Sequence, residues 1–415
     1  MKVVGFVTEY NPFHLGHKYH LEQSKKMSNS THTIAVMSGS FVQRGEPSLI
    51  DKWTKAKIAV ENGVDLVIEL PFIYSVQSAE LFAYGAISIL NSLNIVKYLS
   101  FGSETENLRD LERIANIFHE EPEEYKSFLK SHLSKGHSFS AARSKALTDY
   151  INMVNPYDNT PYERILKQSN NILSIEYLKS LKRLESEILP VLIKRKGNKY
   201  NDTKVTTQFP SATAIRNKLL NNNLETIKHY VPNETYENLI QFKNKYGSFN
   251  SLTRYNQVFQ YIFRTLDKYQ YNEIFDMENG LENRILASSE KNIHIESLIK
   301  DAMTKRYPST RIKRILIHLL TNLDKETITY IYNNAITYIR ILASNEKGLE
   351  IIREIKKKSN ISVVTKFANY RSLDDNLAEL MLKYESKATD LYYLGIATAM
   401  PIVNMDYLKS PYILK

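Results

Sequence analysis

The sequence contains no cysteine and only one tryptophan among its 415 residues. Without cysteine the chain can form neither disulfide bonds nor thiolate metal sites, and it has no cysteine nucleophile. It also lacks a run of roughly eighteen apolar residues, which excludes a membrane-spanning helix. The N-terminus is not a signal peptide, because Glu9 ends a short apolar stretch and no small-residue cleavage site follows. These absences predict a cytoplasmic protein with no membrane partner and no metal site of its own.

Negative charge is comparatively scarce. The chain has 55 Lys and Arg against 45 Asp and Glu, a net charge of +10. This excess favours an anionic partner such as nucleic acid, although a lysine-rich composition in an AT-rich genome would raise the charge without any function. A length of 415 residues favours two or three domains over one.

Short apolar runs alternate with helical patterns in the first 220 residues. The predicted strands are Val3–Val7, Thr33–Met37, Val64–Leu70, Val96–Phe101 and Ile188–Ile193. Strands that alternate with helices predict an α/β fold with a parallel sheet, which binds ligands at the carboxyl ends of its strands. After about residue 221 long helical patterns dominate and strand signals nearly vanish, apart from Ile361–Val364. We therefore predict an α/β domain at 1–225, with a helical insertion at about 106–150, and a mainly α-helical domain at 226–415.

The first strand leads into His14-Leu15-Gly16-His17. The pair Asn11-Pro12 ends the strand, and Gly16 has no Cβ, so a nucleotide can approach the backbone closely. A helix that begins here offers N–H groups to phosphate and places His14 and His17 on one face. Two imidazoles aimed at an α-phosphate suit nucleotidyl transfer, because fixed donors stabilise the charge that builds on the phosphoryl oxygens. The alternative is that both are ordinary polar loop residues.

The stretch Glu9–His17 resembles the His-x-Gly-His nucleotidyltransferase superfamily. Further motifs are similar to one family within it, the bacterial tRNA(Met) cytidine acetate ligases. They lie at 36–47, 65–71, 101–104, 170–173 and 211–216. The resemblance covers essentially the whole chain, although its specific motifs fall in the first 220 residues. It implies a Rossmann-like nucleotidyltransferase domain followed by a mainly helical tRNA-binding domain.

The resemblance also implies an ATP site. In it His14 and His17 would be catalytic, and the rest of the 7–20 segment together with three later residues would contact the nucleotide. These further residues are Val7, Thr8, Glu9, Tyr10, Asn11, Pro12, Phe13, Leu15, Gly16, Lys18, Tyr19, His20, Gly102, Asn170 and Arg195. Taken singly, several have simpler interpretations: Gly102 as a strand-end glycine, Asn170 as a turn or cap residue, and Arg195 as part of a solvated basic run.

A second helix start, at 211–216, resembles the element that cradles the β- and γ-phosphates in this superfamily. Its candidates are Ser211, Thr213 and Arg216, and Ala212 stands where the family often has serine. Serine and threonine at a helix start are also ordinary caps.

Two charged residues at predicted strand ends keep several interpretations. Arg44 could hold a small carboxylate such as acetate in a bidentate pair, contact phosphate or RNA, or pair with Glu46. Glu69 is either a buried carboxylate that orients a histidine or simply a charge at the end of a strand.

A basic segment in the second half is the candidate for RNA binding. Between Asp301 and Leu320 the only carboxylate is Asp301, and Tyr307 is interleaved with the cations, as single-stranded RNA binding favours. The tRNA candidates are Lys305, Arg306, Arg311 and Arg314. We expect these charges to face no carboxylate and to lie some distance from the ATP site. The alternative is a helix with one buried apolar face and a solvated basic face.

Three functions follow. The family resemblance implies an ATP-dependent ligase that forms acetyl-adenylate, using ATP, Mg²⁺ and acetate, and then acetylates the wobble cytidine of elongator tRNA(Met) to N4-acetylcytidine. The first alternative is a small-metabolite adenylyltransferase of the same superfamily, which would not need the large basic second half. The second is an RNA-binding protein with a degenerate nucleotide site. No obligate protein partner is expected.

Overall fold

The computed structural model describes residues 1–195, 210–396, 398 and 400–415. Its strands are β1 Val3–Thr8, β2 His32–Ser38, β3 Phe41–Val42, β4 Glu46–Pro47, β5 Leu66–Leu70, β6 Val96–Ser103, β7 Leu189–Lys194, β8 Tyr338–Ser344, β9 Ser362–Val364 and β10 Tyr412–Ile413. The helices up to residue 220 are α1 Leu15–Ser28, α2 Lys52–Glu61, α3 Phe72–Ser75, α4 Ala79–Ser92, α5 Leu108–Glu120, α6 Glu123–Ser134, α7 Phe139–Val154, α8 Tyr162–Leu166, α9 Ser169–Arg183 and α10 Ala212–Leu220.

Helices continue along the second half. They are α11 Asn233–Tyr246, α12 Asn256–Thr265, α13 Lys268–Glu273, α14 Leu281–Lys291, α15 Ile295–Ala302, α16 Ser309–Thr321, α17 Lys325–Tyr332, α18 Glu346–Lys358, α19 Asn376–Tyr393 and α20 Met405–Leu408. Short 3₁₀ turns lie at Glu225–Ile227, Leu252–Tyr255 and Phe367–Leu373.

A central sheet organises the fold, in the order β10-β8-β5-β2-β1-β6-β7, with β9 paired to β8. The five strands predicted from apolar runs are β1, β2, β5, β6 and β7, and all their mutual pairings are parallel. Every residue of β2 and β5 is buried, which explains their nearly continuous apolar sequences, since a parallel sheet is covered on both faces. The predicted α/β fold is confirmed.

The second half also contributes to this sheet, and here the expectation that strand signals nearly vanish after residue 221 is wrong. Strand β8 pairs antiparallel with β5, and β9 and β10 pair parallel with β8. The prediction missed β8 because Arg340 interrupts its apolar pattern. The second half is therefore joined to the first through backbone hydrogen bonds, and the boundary near residue 225 stays a prediction.

Five buried ionisable side chains join the two halves inside the core. Lys52 Nζ lies 2.8 Å from Glu69, 3.2 Å from Glu385 and 2.7 Å from Asp406. Arg340 pairs with Glu69 at 3.0 Å and also with Asp406. Burial, followed by the nearby Glu69 carboxylate, raises the pKa of Glu385 to about 8. Two cations and three carboxyl groups therefore share one buried cluster, in which burial favours the neutral form of Glu385.

The ion pairs of this cluster define the role of Glu69. Its partners are Lys52 and Arg340, so the interpretation that it orients a histidine is wrong. Glu69 is instead a buried charge near the end of β5. Since Arg340 is in the second half of the chain, the partner could not be inferred from neighbouring sequence.

Replacing Lys52 with methionine tests the cluster. Lys52→Met leaves buried carboxylates without their cation, so the free energy of unfolding should fall by about 3–5 kcal/mol. The control is Lys57→Met in the same helix. Lys57 is partly exposed and lies 3.7 Å from Glu61, so its loss should cost about 1 kcal/mol or less. Denaturant unfolding of both variants measures the difference, and equal costs would contradict the assigned role of the cluster.

Candidate active site

A cavity of about 480 Å³ lies at the carboxyl ends of the central strands, the edge at which parallel sheets bind ligands. Most of the predicted site residues line it. They are Val7, Thr8, Glu9, Tyr10, Asn11, His14, Gly16, His17, Tyr19, His20, Arg44, Gly102, Asn170, Arg195, Ser211 and Arg314. Other predicted residues are not part of the cavity wall: Pro12, Phe13, Leu15, Lys18, Thr213, Arg216, Lys305, Arg306 and Arg311.

His14 and His17 close the N-terminus of α1. The Gly16 amide donates to His14 Nδ1 at 3.0 Å, and the His14 amide donates to His17 Nδ1 at 3.3 Å. Together they form a capping box, a role usually taken by serine or threonine with glutamate. Because each Nδ1 accepts a hydrogen bond, the neutral rings carry their protons on Nε2. Gly16 is required here, since an added Cβ would lie 2.8 Å from His14 Cε1.

Both imidazoles are held in the neutral form. Burial, followed by the charges of Arg195 and Arg216, lowers the pKa of His14 to about 3. Burial and the adjacent His14 lower the pKa of His17 well below its ordinary value. The two rings stack with centroids 3.8 Å apart. At neutral pH the cavity is therefore lined by two neutral N–H donors rather than two cations.

The loop before α1 is fixed from several sides. Asn11 Oδ1 accepts a hydrogen bond from the Leu49 amide at 2.8 Å, and the Asn11 carbonyl accepts one from Arg216 at 2.9 Å. Glu9 accepts one from the Gln43 amide at 2.9 Å. The Asn11 Nδ2 group is buried without a partner in the described structure, which leaves a donor beside the cavity. Arg216 supports this loop, and its contact with phosphate stays a prediction.

Lys55 also supports this loop. It was not among the residues predicted from the sequence. Its buried ammonium donates to the carbonyls of Ser38, Gly39 and Glu9 at 2.7, 2.9 and 3.2 Å. Burial lowers the pKa of Lys55 to about 7. This lysine ties the end of β2 to the end of β1.

Several helices direct their N-terminal turns at the cavity. Residues from these turns lie in the wall: Gly16 and His17 of α1, Ala79 and Phe82 of α4, Ser169 and Asn170 of α9, Ser211 and Ala212 at the start of α10, and Thr310 of α16. Helix N-termini carry partial positive charge and unpaired N–H groups, which bind anions. At α9 the Glu104 carboxylate accepts hydrogen bonds from the Asn170 side chain at 2.5 Å and the Asn171 amide at 3.0 Å, and so positions Asn170.

Another part of the wall is apolar. It is formed by Phe82, Phe101, Ile172, Leu173, Tyr177 and Ile193. A cavity that combines such a surface with anion-binding helix starts fits a nucleotide, whose base is planar and apolar on its faces and whose phosphates are charged.

The basic segment of the second half differs from expectation in two ways. Carboxylates do face it, because Arg306 pairs with Glu278 at 2.8 Å and Arg311 pairs with Asp276 at 2.8 Å and Glu278 at 2.7 Å. Nor is the segment distant from the nucleotide cavity, since Arg314 lies in its wall. Both expectations are wrong for the same reason: the chain brings residues from other segments against α16.

The apolar face of α16 is buried, as the alternative interpretation of this segment requires. Ile312, Ile315 and Leu316 are all in the core, whereas Lys305 and Arg306 are exposed. A role in tRNA binding stays a prediction for the exposed residues.

Two kinds of feature are absent from the described residues. No group of three or more His, Asp or Glu side chains in that part of the chain could hold a metal ion. Likewise, no described helix is long and apolar enough to cross a membrane.

Known proteins resemble this chain over its whole length. A model of the HIGH Nucleotidyl Transferase family matches residues 1–403. The tRNA(Met) cytidine acetate ligase of Thermoanaerobacter sp. (strain X514) is 44% identical over 409 residues, 98% of each chain. That of Clostridium novyi (strain NT) is 40% identical over 418 residues, with both chains fully covered.

Solved structures agree with the sequence relatives. Thermotoga maritima TmcAL in its apo form superposes with a TM-score of 0.95 at 34% identity, with full coverage of both chains. The same protein bound with alpha-thio ATP gives a TM-score of 0.93, also with full coverage. The chain therefore belongs to the HIGH nucleotidyltransferase family and, within it, to the tRNA(Met) cytidine acetate ligases.

Proposed function

We propose that this chain is an ATP-dependent ligase that activates acetate as acetyl-adenylate and transfers the acetyl group to the wobble cytidine of elongator tRNA(Met), forming N4-acetylcytidine. The observation that carries the proposal is the pair of neutral histidines that cap α1, just after the carboxyl end of β1. Family membership supports the same activity, since the relatives are named as ligases for tRNA(Met) cytidine. The metabolite adenylyltransferase and the degenerate RNA-binding protein are not favoured.

In the first step an acetate oxygen attacks the α-phosphorus of ATP. The new bond forms in line as the bond to pyrophosphate breaks, and negative charge increases on the equatorial oxygens. The Nε2–H groups of His14 and His17 donate to these oxygens, and they are pre-oriented because their Nδ1 atoms are held by the backbone. Such fixed donors stabilise the transition state more than the ground state.

The departing pyrophosphate requires positive charge. Arg195 and the N-terminus of α10, with Ser211 at its start, supply it from the cavity wall. Mg²⁺ would neutralise more of this charge, bound mainly through phosphate oxygens because this ion retains waters and takes few protein ligands. Glu9 is the carboxylate among the described lining residues, and it would be a protein ligand for Mg²⁺.

In the second step the exocyclic amine of cytidine attacks the acetyl carbonyl carbon. The bond to AMP breaks, AMP leaves with the electron pair, and the amine releases one proton to solvent. No covalent enzyme intermediate is needed, which is consistent with a chain that has no cysteine. Exposed Lys305 and Arg306, close in sequence to the part of α16 that reaches the cavity, support tRNA binding there. Both ATP and tRNA are cytoplasmic substrates, which supports a cytoplasmic location.

Substitution of either histidine should slow the first step. His14→Ala or His17→Ala should reduce acetyl-adenylate formation by ~10²–10³, the scale for loss of one oxyanion donor, with much less change in ATP affinity. His14→Asn is the matched control for capping, because asparagine is a good N-cap residue. It should keep the stability of α1 and still react slowly. Rates of adenylate formation and thermal unfolding measure the two effects, and an undiminished rate in both alanine variants would contradict the assignment.

Activation should be separable from transfer. Because the proposed first step needs only acetate and ATP, acetate should promote exchange of labelled pyrophosphate into ATP without tRNA. Propionate and phosphopantetheine serve as comparison substrates. Exchange that appears only with the phosphorylated metabolite would contradict the ligase proposal and favour the metabolite adenylyltransferase.

A further inference from the structure

Arg314 lies in the wall of the nucleotide cavity although it belongs to the second half of the chain. It projects from α16, one turn after Thr310, which also lines the cavity. Its side chain is only 12% exposed. The helix is held in place by the Gly45 turn: Gly45 has φ +75°, and an added Cβ would lie 2.3 Å from the Arg314 amide nitrogen. The close backbone contact fixes where Arg314 enters the cavity.

The Arg314 guanidinium lacks a full set of acceptors. Its Nε is buried and has no hydrogen-bond partner in the described structure, and its ion pair with Asp276 is long, at 3.7 Å. Asp276 is shared with Arg311, which holds it at 2.8 Å and also pairs with Glu278 at 2.7 Å. Burial of a charged donor without acceptors is costly, so a buried arginine in the wall of a ligand cavity is suited to bind an anion.

The pKa shifts of Arg314 and Arg311 agree with this geometry. Burial lowers the pKa of Arg314, and Asp276 compensates only in part. In Arg311, by contrast, Asp276 and Glu278 outweigh the effect of burial and raise the pKa. Two arginines one turn apart on α16 therefore differ: Arg311 has two close carboxylates, whereas Arg314 has only the long pair with Asp276.

We propose that Arg314 binds a phosphate group inside the nucleotide cavity, so that the second half of the chain completes the site where acetyl-adenylate forms. A planar guanidinium matches phosphate oxygens with two parallel hydrogen bonds. This inference rests on the proposed function, because both substrates that carry phosphate, ATP and tRNA, come from it. Arg195 is assigned above to the departing pyrophosphate, and Arg216 lies outside the cavity wall, where it donates to the Asn11 carbonyl. Arg314 then serves either the outer phosphates of ATP or the RNA phosphate beside the target cytidine.

Three variants test the assignment. Arg314→Met keeps most of the side-chain volume and removes the guanidinium, whereas Arg314→Lys keeps the charge and loses the bidentate geometry. Asp276→Asn is the matched control, since it removes the carboxylate and leaves Arg314 in place. The assays are calorimetric binding of ATP alone, acetate-dependent pyrophosphate exchange and acetyl transfer to tRNA.

Arg314→Met should raise the Kd of ATP or the KM of tRNA by roughly 10- to 100-fold, the range for a lost hydrogen bond to a charged group. Arg314→Lys should lie between Arg314→Met and the unmodified protein, and Asp276→Asn should keep the unmodified constants. A change in ATP binding identifies ATP as the source of the phosphate, and a change confined to tRNA identifies RNA.

The proposal is overturned if Arg314→Met keeps both constants within about twofold, or if Asp276→Asn reproduces its defect, because Arg314 would then serve only that carboxylate. A change confined to the KM of acetate also overturns it. If thermal unfolding shows that Arg314→Met does not fold, the Kd of ATP and the KM of tRNA are compared for Arg314→Lys instead, with the same criteria. Failure of the proposed function itself is distinguishable, because the unmodified protein would then show no acetate-dependent exchange.

Discussion

Two imidazole nitrogens close the N-terminus of α1, and the position, tautomer and charge of both histidines depend on that contact. Helix N-termini leave backbone N–H groups without partners, and here the side chains of His14 and His17 are the acceptors. A protonated His14 or His17 would present an N–H to the amide that it now accepts from, so the cap exists only with neutral rings. Burial acts in the same direction by lowering the pKa of both. Helix capping therefore requires the same protonation state as the proposed donation of the two Nε2–H groups to phosphate.

The site that these histidines belong to is supported by both halves of the chain. Strand β8 extends the sheet beside β5, and the cluster of Lys52, Glu69, Arg340, Glu385 and Asp406 links the halves in the core. The turn at Gly45, between β3 and β4, packs against α16. Because buried charges are costly when a partner is lost, the second half is held at the cavity rather than attached loosely. Under the proposed function, activation of acetate and binding of RNA would share this cavity.

The sequence was informative wherever neighbouring residues determine the outcome. Five strands could be predicted because strands buried on both faces form continuous apolar runs, and the site residues follow their carboxyl ends. The histidine motif itself indicated a helix start beside a phosphate. Sequence alone did not indicate that the same histidines cap the helix through Nδ1, because serine, threonine and asparagine usually do so.

Features that depend on distant partners could not be predicted. Arg340 made β8 look unlike a buried strand, yet its charge is balanced by Glu69 and Asp406. The cations near α16 looked unopposed because Asp276 and Glu278 precede the segment. In each case the sequence shows the charge and not its partner.

The most direct test of the function is nucleoside analysis of tRNA(Met) from a strain that lacks this protein. We predict that N4-acetylcytidine is absent from the wobble position and returns when the unmodified gene is supplied, but not when a gene encoding His14→Ala and His17→Ala together is supplied. N4-acetylcytidine that persists at its normal level in the deletion strain would refute the proposed function.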